Sequence, residues 1–404
     1  MKKNLEYWEA RDLLLDYATP VPTERLPLSE CAGRILADII IAVHSVPEFD
    51  RSAYDGYAIR SGDISTAEQQ QPITLKILKE VLVGEPPCCC LTPGTAAKIF
   101  TGAPIPDGAD AVEKYELTHF SDREVTLFAP LKQGANIVRA GEDIQAGATV
   151  AQAGTLINAA LAGILAAQQM DRVLVYSSPR VGIISTGNEL METDGPLSPG
   201  KIRDSNRYML GAVLKQAGCI PDYLGLATDA VSSIAGLITK GLSRCDMVVL
   251  TGGVSVGDHD LTPAAMEHVG ARILFQRVNL KPGMACTYGV KDGKMICGLS
   301  GNPASAITNF YAVAMPALKR LAGEQDVIPK EICLRLDKSF LKKSPKTRLL
   351  YGTLDLSDGT ARFRYSQNQG NAVLSSMLGC NAMAVIPGGS GPIDAGSMLK
   401  GFLL

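Results

Sequence analysis

Four times between residues 180 and 305 an apolar run breaks off at a turn of glycine or small polar residues, and no other feature constrains the fold as much. Ile183-Ile184 gives way to Ser185-Thr186-Gly187-Asn188-Glu189, and Val249-Leu250 to Thr251-Gly252-Gly253-Val254-Ser255-Val256-Gly257-Asp258-His259-Asp260. Asn279-Leu280 is followed by Lys281-Pro282-Gly283, and Cys297-Gly298-Leu299 by Ser300-Gly301-Asn302-Pro303-Ala304-Ser305. Helical patterns fill the gaps, one beginning near Ser205 and closing before Gly218, another ending near Gly241. Strand, loop and helix in alternation specify a mainly parallel sheet covered by helices, an α/β domain expected over residues 175–326. Such sheets bind ligands beyond the carboxyl ends of their strands.

The turns themselves suit an anion. The glycines at 252, 253 and 257 let backbone amides approach a ligand, and acids follow at once. Pro303 opens a helix whose free amides and positive dipole end suit a phosphate, although an ordinary capped helix reads the same way. Lys281 in a rigid turn is a candidate anion contact, or a solvated surface charge.

The 404 residues exceed one hydrophobic core, so further domains are expected. Residues 4–18 read as a helix through Trp8, Leu14, Leu15 and Tyr17, stopped at Thr19-Pro20. A short helix is expected after Ser29, and an Ala/Leu-rich helix from Asn158 to Gln169 is expected to pair with these N-terminal helices. Residues 1–45 and 144–174 thus form a helical domain. Residues 46–143 form an inserted β-domain, read from runs at Thr74 to Val83, Ala96 to Phe100, Ala111 to Tyr115 and Glu124 to Phe128. Runs at Glu331 to Leu336, Thr347 to Leu354 and Ala382 to Pro387 give residues 327–404 a β-barrel or sandwich.

Net charge is −2 with the basic residues scattered, which excludes the dense basic stripe that nucleic acid requires. No run approaches the roughly 18 apolar residues of a membrane helix, and the first residues lack a signal core, so a cytoplasmic location is expected. The ten cysteines sit mostly alone in apolar segments and read as free thiols. In Cys88-Cys89-Cys90, neighbours on an extended strand point to opposite faces and cannot all grip one metal.

The β-rich region adds Asp50-Arg51-Ser52-Ala53-Tyr54-Asp55-Gly56-Tyr57-Ala58, Phe100-Thr101-Gly102-Ala103-Pro104-Ile105-Pro106 and Arg139-Ala140-Gly141-Glu142-Asp143, each joining an acid or hydroxyl to glycine-rich backbone. Singly, each is an ordinary turn. Carboxylates gathered beside anion-binding loops would repel an anionic substrate unless a divalent cation, Mg²⁺ by its preference for oxygen ligands, bridged them.

In order, Ser-Ala-x-Asp-Gly-Tyr-Ala, Thr-Gly-Ala-x-x-Pro, Gly-Glu-Asp, Ser-Thr-Gly-x-Glu-Leu, Asp-Ser-Asn-Arg, Gly-Gly-Val-Ser-Val-Gly, Lys-Pro-Gly and Gly-Asn-Pro-x-Ser run from residue 52 to residue 305. The set resembles the MoeA family, which includes the E domains of gephyrin and the plant molybdenum insertase. The resemblance implies a MogA-like three-layer α/β domain with a parallel or mixed sheet, an inserted β-domain, an N-terminal helical domain and a C-terminal β-barrel-like domain. It implies a Mg²⁺-dependent molybdopterin molybdenumtransferase, which inserts molybdate into adenylylated molybdopterin with release of AMP. It also implies an elongated homodimer with a shared active site, and it raises a MogA-type partner. By matching position, Asp55, Thr101, Asp143, Glu189, Asp246 and Asp260 are the catalytic candidates. Gly252, Gly253, Ser255, Gly257, Lys281, Ser300, Gly301, Asn302, Asp204 and Ser375 are candidates for holding the pterin and phosphates, with Glu189, Asp204 and Asp260 for Mg²⁺.

This sequence departs from the family pattern. Met284 and Ala285 stand where Lys-Pro usually follows Lys-Pro-Gly, and Tyr351 replaces the arginine of Phe-x-Arg-Gly. Asn188 and Tyr54 replace an aspartate and a methionine. Two cations are therefore expected to be missing at the oxyanion pocket, which keeps open an alternative: a paralogue that binds pterin or cofactor as a carrier, or a tungstate-type insertase.

Overall fold

The computed structural model describes residues 2–87, 89–192, 195–254, 261–357, 359 and 361–404. The chain divides into two compact units. One holds Met1–Ala37, Gly154–Asn158 and Arg172–Leu404; the other holds Asp38–Ala153 and Ala159–Asp171.

The first unit is built on a seven-stranded mixed sheet. Its order is Lys2–Leu5, Arg272–Val278, Cys286–Lys291, Lys294–Leu299, Met247–Thr251, Arg180–Thr186, Ile220–Ala227. The last four strands run parallel, as the alternating pattern requires, while Cys286–Lys291 pairs antiparallel with both neighbours. Met247–Thr251 is buried along its whole length because helices cover both faces of a central strand. Val181, Ile183, Val249 and Cys297 point into one core, and Ile184, Val248, Leu250 and Ile296 into the other. That period of two fixes the register.

The N-terminal reading needs correction. Lys2–Leu5 is a strand, pairing parallel with Arg272–Val278, and the helix covers only Tyr7–Leu15. A parallel sheet edge offers the first residues ladder bonds that a solvated helix end would not. The helix buries Ala10 and Leu14 in the same core as Phe310, Val313 and Leu318, whereas Ala159–Ala167 belongs to the other unit. The helix expected after Ser29 is one 3₁₀ turn, Leu28–Glu30.

At the C-terminal end, Thr347–Asp355, Arg362–Tyr365, Ile332–Leu336, Met398–Leu403 and Ala382–Ile386 close into a five-stranded barrel, because Ala382–Ile386 pairs back onto Thr347–Asp355. Closure leaves no free edge, and Leu334, Leu336, Leu350, Phe363 and Ile386 fill the interior. The two-residue strand Leu280–Lys281 lies parallel to the start of the barrel, Leu280 opposite Thr347 and Lys281 opposite Arg348.

The second unit carries a six-stranded sheet that curves into a half-barrel without closing. Its order is Ala111–Lys114, Gly56–Ile59, Thr95–Ile99, Ile73–Val81, Glu124–Leu127, Thr118–Phe120. Gly56–Ile59 is buried on both faces, with Tyr57 and Ile59 in one cluster and Ala58 in another. No helix of the described residues is long and apolar enough to cross a membrane.

Candidate active site

A cleft of about 820 Å³ opens in the first unit where the parallel strands end. Arg180–Thr186 delivers Gly187 and Glu189 to it, Met247–Thr251 delivers Gly252 and Gly253, and Lys294–Leu299 delivers Ser300, Gly301 and Asn302. Lys281, Gly283, Met284 and Ala285 complete the wall beside the start of Cys286–Lys291. Three of the four turns that end apolar runs therefore meet at one end of one sheet, and the fourth joins them through the antiparallel strand.

The loops are tightly constrained. Gly252 takes φ 103°, and a Cβ there would come within 2.5 Å of both the carbonyl oxygen and the Oγ1 of Thr186. Its N–H donates to the Leu299 carbonyl at 2.9 Å, and Thr262 Oγ1 donates to the Gly252 carbonyl at 3.1 Å. The Ser300 hydroxyl accepts from the Asn302 N–H at 3.2 Å, which shapes the turn into the helix Pro303–Asn309.

Two polar groups at the cleft have no partner among the described residues. Thr251 is 1% exposed and its Oγ1 has none; Asn206 is 7% exposed and its Oδ1 has none. Asn206 Nδ2 donates to the Gly301 carbonyl at 2.8 Å, and that bond fixes the amide so that Oδ1 must be the free acceptor. Buried polar atoms left unpaired cost free energy, and pairs of them beside amide-rich loops mark where a ligand belongs.

The acids divide. Glu189 lines the cleft with its carboxylate exposed. Asp229, which also lines it, accepts from the Asn188 N–H at 3.0 Å. Asp204 is buried behind the cleft, its carboxylate taken up by Ser185 Oγ at 2.5 Å and the Arg207 N–H at 3.2 Å. Asp246 is not brought to the cleft: it precedes Met247–Thr251, and its carboxylate accepts from the Arg180 N–H at 2.8 Å at the amino end of the same strands. A strand of five residues spans roughly 16 Å, which separates it from the ligand end. Ser375 is exposed in the 3₁₀ turn Leu374–Met377 and does not line the cleft, although Asn371 of that segment does. Ser255, Gly257, Asp260 and Cys88 lie outside the described residues. Among the described residues no three of His, Cys, Asp and Glu gather as a metal cluster.

In the second unit, Asp55 and Thr101 come together. Asp55 Oδ1 accepts from the Thr101 N–H at 2.7 Å and from its hydroxyl at 2.8 Å, and these bonds, the backbone one first, hold the carboxyl below the usual carboxylate range. The turn carrying Asp143 is pinned separately: Asp143 N–H donates to the Val46 carbonyl, while Asp50 accepts from the Ala140 N–H and pairs with Arg139. Asp143 itself is exposed.

Residues 5–168 match the family model described as the MoeA N-terminal region (domain I and II), and residues 182–320 match the probable molybdopterin binding domain. A molybdopterin molybdenumtransferase of Staphylococcus epidermidis is 36% identical over 392 residues, 97% of this chain and 93% of that one. The chain belongs to the MoeA family. A molybdopterin molybdenumtransferase of Bacillus subtilis is 34% identical over 388 residues, 95% of this chain and 90% of that one. The crystal structure of the molybdopterin biosynthesis MoeA protein of Pyrococcus horikoshii superposes with a TM-score of 0.87 at 30% identity, covering 99% of this chain and all of that one.

Within a MoeA fold the departures acquire places. Tyr351 alternates with Leu350: Leu350 fills the barrel while Tyr351, 2% exposed, turns into the sheet core and shares a 2.8 Å hydrogen bond with Thr308 Oγ1. Its hydroxyl does not line the cleft, and burial pushes its pKa up. Asn188 Oδ1 accepts from the Asp229 N–H at 3.2 Å while its own N–H goes to the Asp229 carboxylate, a position where a second carboxylate would be repelled. Tyr54 lies under Lys114, whose Nζ is 3.9 Å from the ring centre.

The expected shortage of cations is only half right. Met284 and Tyr351 supply none, yet Arg277 and Lys346 line the cleft together with Lys281. Sequence reading missed both, along with Asn206 and Thr251. The latter two stand within the quoted turn and motif and were readable there. Arg277 is the next-to-last residue of the strand Arg272–Val278 and Lys346 lies 62 residues beyond Met284, so only the pairing of Leu280–Lys281 with the barrel brings Lys346 in.

Proposed function

We propose that this MoeA-family protein is a molybdopterin molybdenumtransferase, taking adenylylated molybdopterin and molybdate and leaving the metal on the dithiolene with release of AMP. The observation that carries this is the pair of buried atoms without a partner among the described residues, Thr251 Oγ1 and Asn206 Oδ1, set between the Gly252 and Gly301 loops. Amide-rich turns and the start of the helix Pro303–Asn309 suit the phosphates, and Asn206 offers an acceptor to a donor on the rest of the substrate. Lys281 neutralises phosphate charge. Ser255 and Gly257 continue the first loop in this reading, and Asp260 its acids.

The donor set fits Mg²⁺ in part. Glu189 is an exposed cleft carboxylate, and Mg²⁺ is commonly held by one or two carboxylates, waters and substrate phosphates. Asp204 is already occupied by Ser185 and Arg207, so it does not fit as a ligand. Bound Mg²⁺ would offset the charge that develops on the departing AMP. Asp55, Thr101 and Asp143 are assigned to a homodimer in which each subunit's residues complete the other's site, with a MogA-type protein supplying substrate in the cytoplasm. The four-domain division, at 1–45 with 144–174, 46–143, 175–326 and 327–404, belongs to the same reading.

The full chain, incubated with Mg²⁺, molybdate and adenylylated molybdopterin, is expected to release AMP, measured chromatographically, and to stop when Mg²⁺ is chelated. Absence of AMP under these conditions removes the proposal.

A further inference from the structure

Both Arg277 and Lys346 meet the same atom. Arg277 Nη2 lies 3.5 Å and Lys346 Nζ 2.9 Å from Met284 Sδ, inside the cleft. A thioether is a weak, uncharged acceptor, poorly matched to two full cations. Among the described residues neither cation forms an ion pair with a carboxylate, whereas Lys319, Lys98 and Arg34 elsewhere in the chain do. Arg277 also takes φ 61°, the left-handed region that a long side chain rarely adopts, and backbone strain of this kind concentrates at ligand-holding positions. The fold fixes the other member: the parallel pairing of Lys281 with Arg348 places Lys346 beside the Lys281 turn.

We propose that Arg277 and Lys346 are the oxyanion-binding pair of this cleft, taking a tetrahedral anion of the molybdate or phosphate type in place of the Met284 sulfur. The inference rests on the functional reading above and deepens it. The two cations converge on one point, which is what a small anion with several acceptor oxygens needs and what separate surface lysines do not provide. Arginine presents a planar fork and lysine a point charge, so the pair grips two sides of a tetrahedron with different geometry. It also replaces, from other positions in the chain, the two cations absent at Met284 and Tyr351.

Calorimetric titration of the full chain with sodium molybdate, and separately with sodium phosphate and AMP, tests this without pterin. Lys346→Met and Arg277→Met are each expected to weaken anion binding about tenfold or more, by the usual size of a charge-assisted bond, while Arg277→Lys retains part of it. Loss confined to molybdate assigns the pair to the metal oxyanion; loss confined to phosphate and AMP assigns it to the substrate's phosphate; either upholds the pair. Should a charge-removing variant fail to fold, Met284→Glu provides an internal carboxylate for both cations and is expected to abolish anion binding. Anion affinities unchanged in the variants that fold overturn the inference. Failure of the wild-type protein to release AMP while it still binds molybdate through this pair would sink the enzyme reading alone.

Discussion

Two threonines mark the difference between the chain's two units. Thr101, on an exposed turn of the half-barrel unit, gives both its N–H and its hydroxyl to Asp55, so Oδ1 of that carboxylate is satisfied by its own chain. Thr251, buried at the end of a central strand of the α/β unit, gives its hydroxyl to no partner among the described residues. The first arrangement orients a finished group for presentation to something else. The second is incomplete among the described residues, and incompleteness at a buried atom is what a binding site looks like before its ligand arrives.

The largest effect expected from breaking this contrast is at the backbone of the cleft. Gly252→Ala adds a Cβ that would collide with two oxygens of Thr186 at 2.5 Å, and it imposes a side chain at φ 103°. The strand ends carrying Glu189 and Thr251 would have to separate. Release of AMP should fall about 100-fold, the scale that a 1 Å misplacement produces, with a stability loss of about 1–3 kcal/mol from strain. Near-normal turnover in Gly252→Ala would show that the two loops do not act together.

The threonines sharpen the contrast when both are made valine. Thr251→Val removes a hydroxyl that bonds nothing among the described residues, so its melting temperature should hold or rise slightly, while KM for adenylylated molybdopterin rises about tenfold, roughly one hydrogen bond. Thr101→Val keeps the N–H but loses the hydroxyl, so the Asp55 carboxyl should move up toward the usual carboxylate range, read by NMR titration. If Thr251→Val instead destabilises the free protein and leaves KM alone, its hydroxyl has an internal role and the comparison collapses.

Much of the α/β unit was legible because its information is local. Apolar runs such as Val249-Leu250 and the glycine turns after them specify strands, their ends and the side on which ligands collect. The barrel was legible only in part: Thr347–Asp355 and Ala382–Ile386 stand out by composition, but Arg362–Tyr365, half charged, and Met398–Leu403 do not, and closure depends on pairing between distant strands. Lys2–Leu5 was misread because Lys2, Lys3 and Asn4 carry no strand signal of their own; the edge of Arg272–Val278 makes them a strand. The site follows the same division. Glu189, Gly252, Lys281 and Gly301 sit in turns that advertise themselves, whereas Arg277 and Lys346 meet only through tertiary pairing. Asp246 was carried to the site by likeness of position, although its place before a strand that ends at the ligand already set it at the opposite edge.

Glu113 supplies the smallest test and an intermediate case. It is 5% exposed in Ala111–Lys114, next to Gly56–Ile59, and its Oε1 accepts only from the Lys114 N–H among the described residues. Burial raises its pKa above 4.5, with the Lys114 N–H and the Lys114 charge opposing. A carboxyl with a raised folded-state pKa favours the protonated form in the fold, so the unit loses stability as pH rises through the unfolded value toward the folded one, and the loss persists at neutral pH. Glu113→Gln removes that loss while preserving an acceptor for Lys114. Its melting temperature should exceed that of the wild type at pH 7 by at most about 2–4 °C, the shift that roughly 1 kcal/mol produces in a domain of this size, and the gap should close below pH 4. A wild type that melts above Glu113→Gln at pH 7 would mean that Glu113, like Asp55, is satisfied in its charged form where it stands.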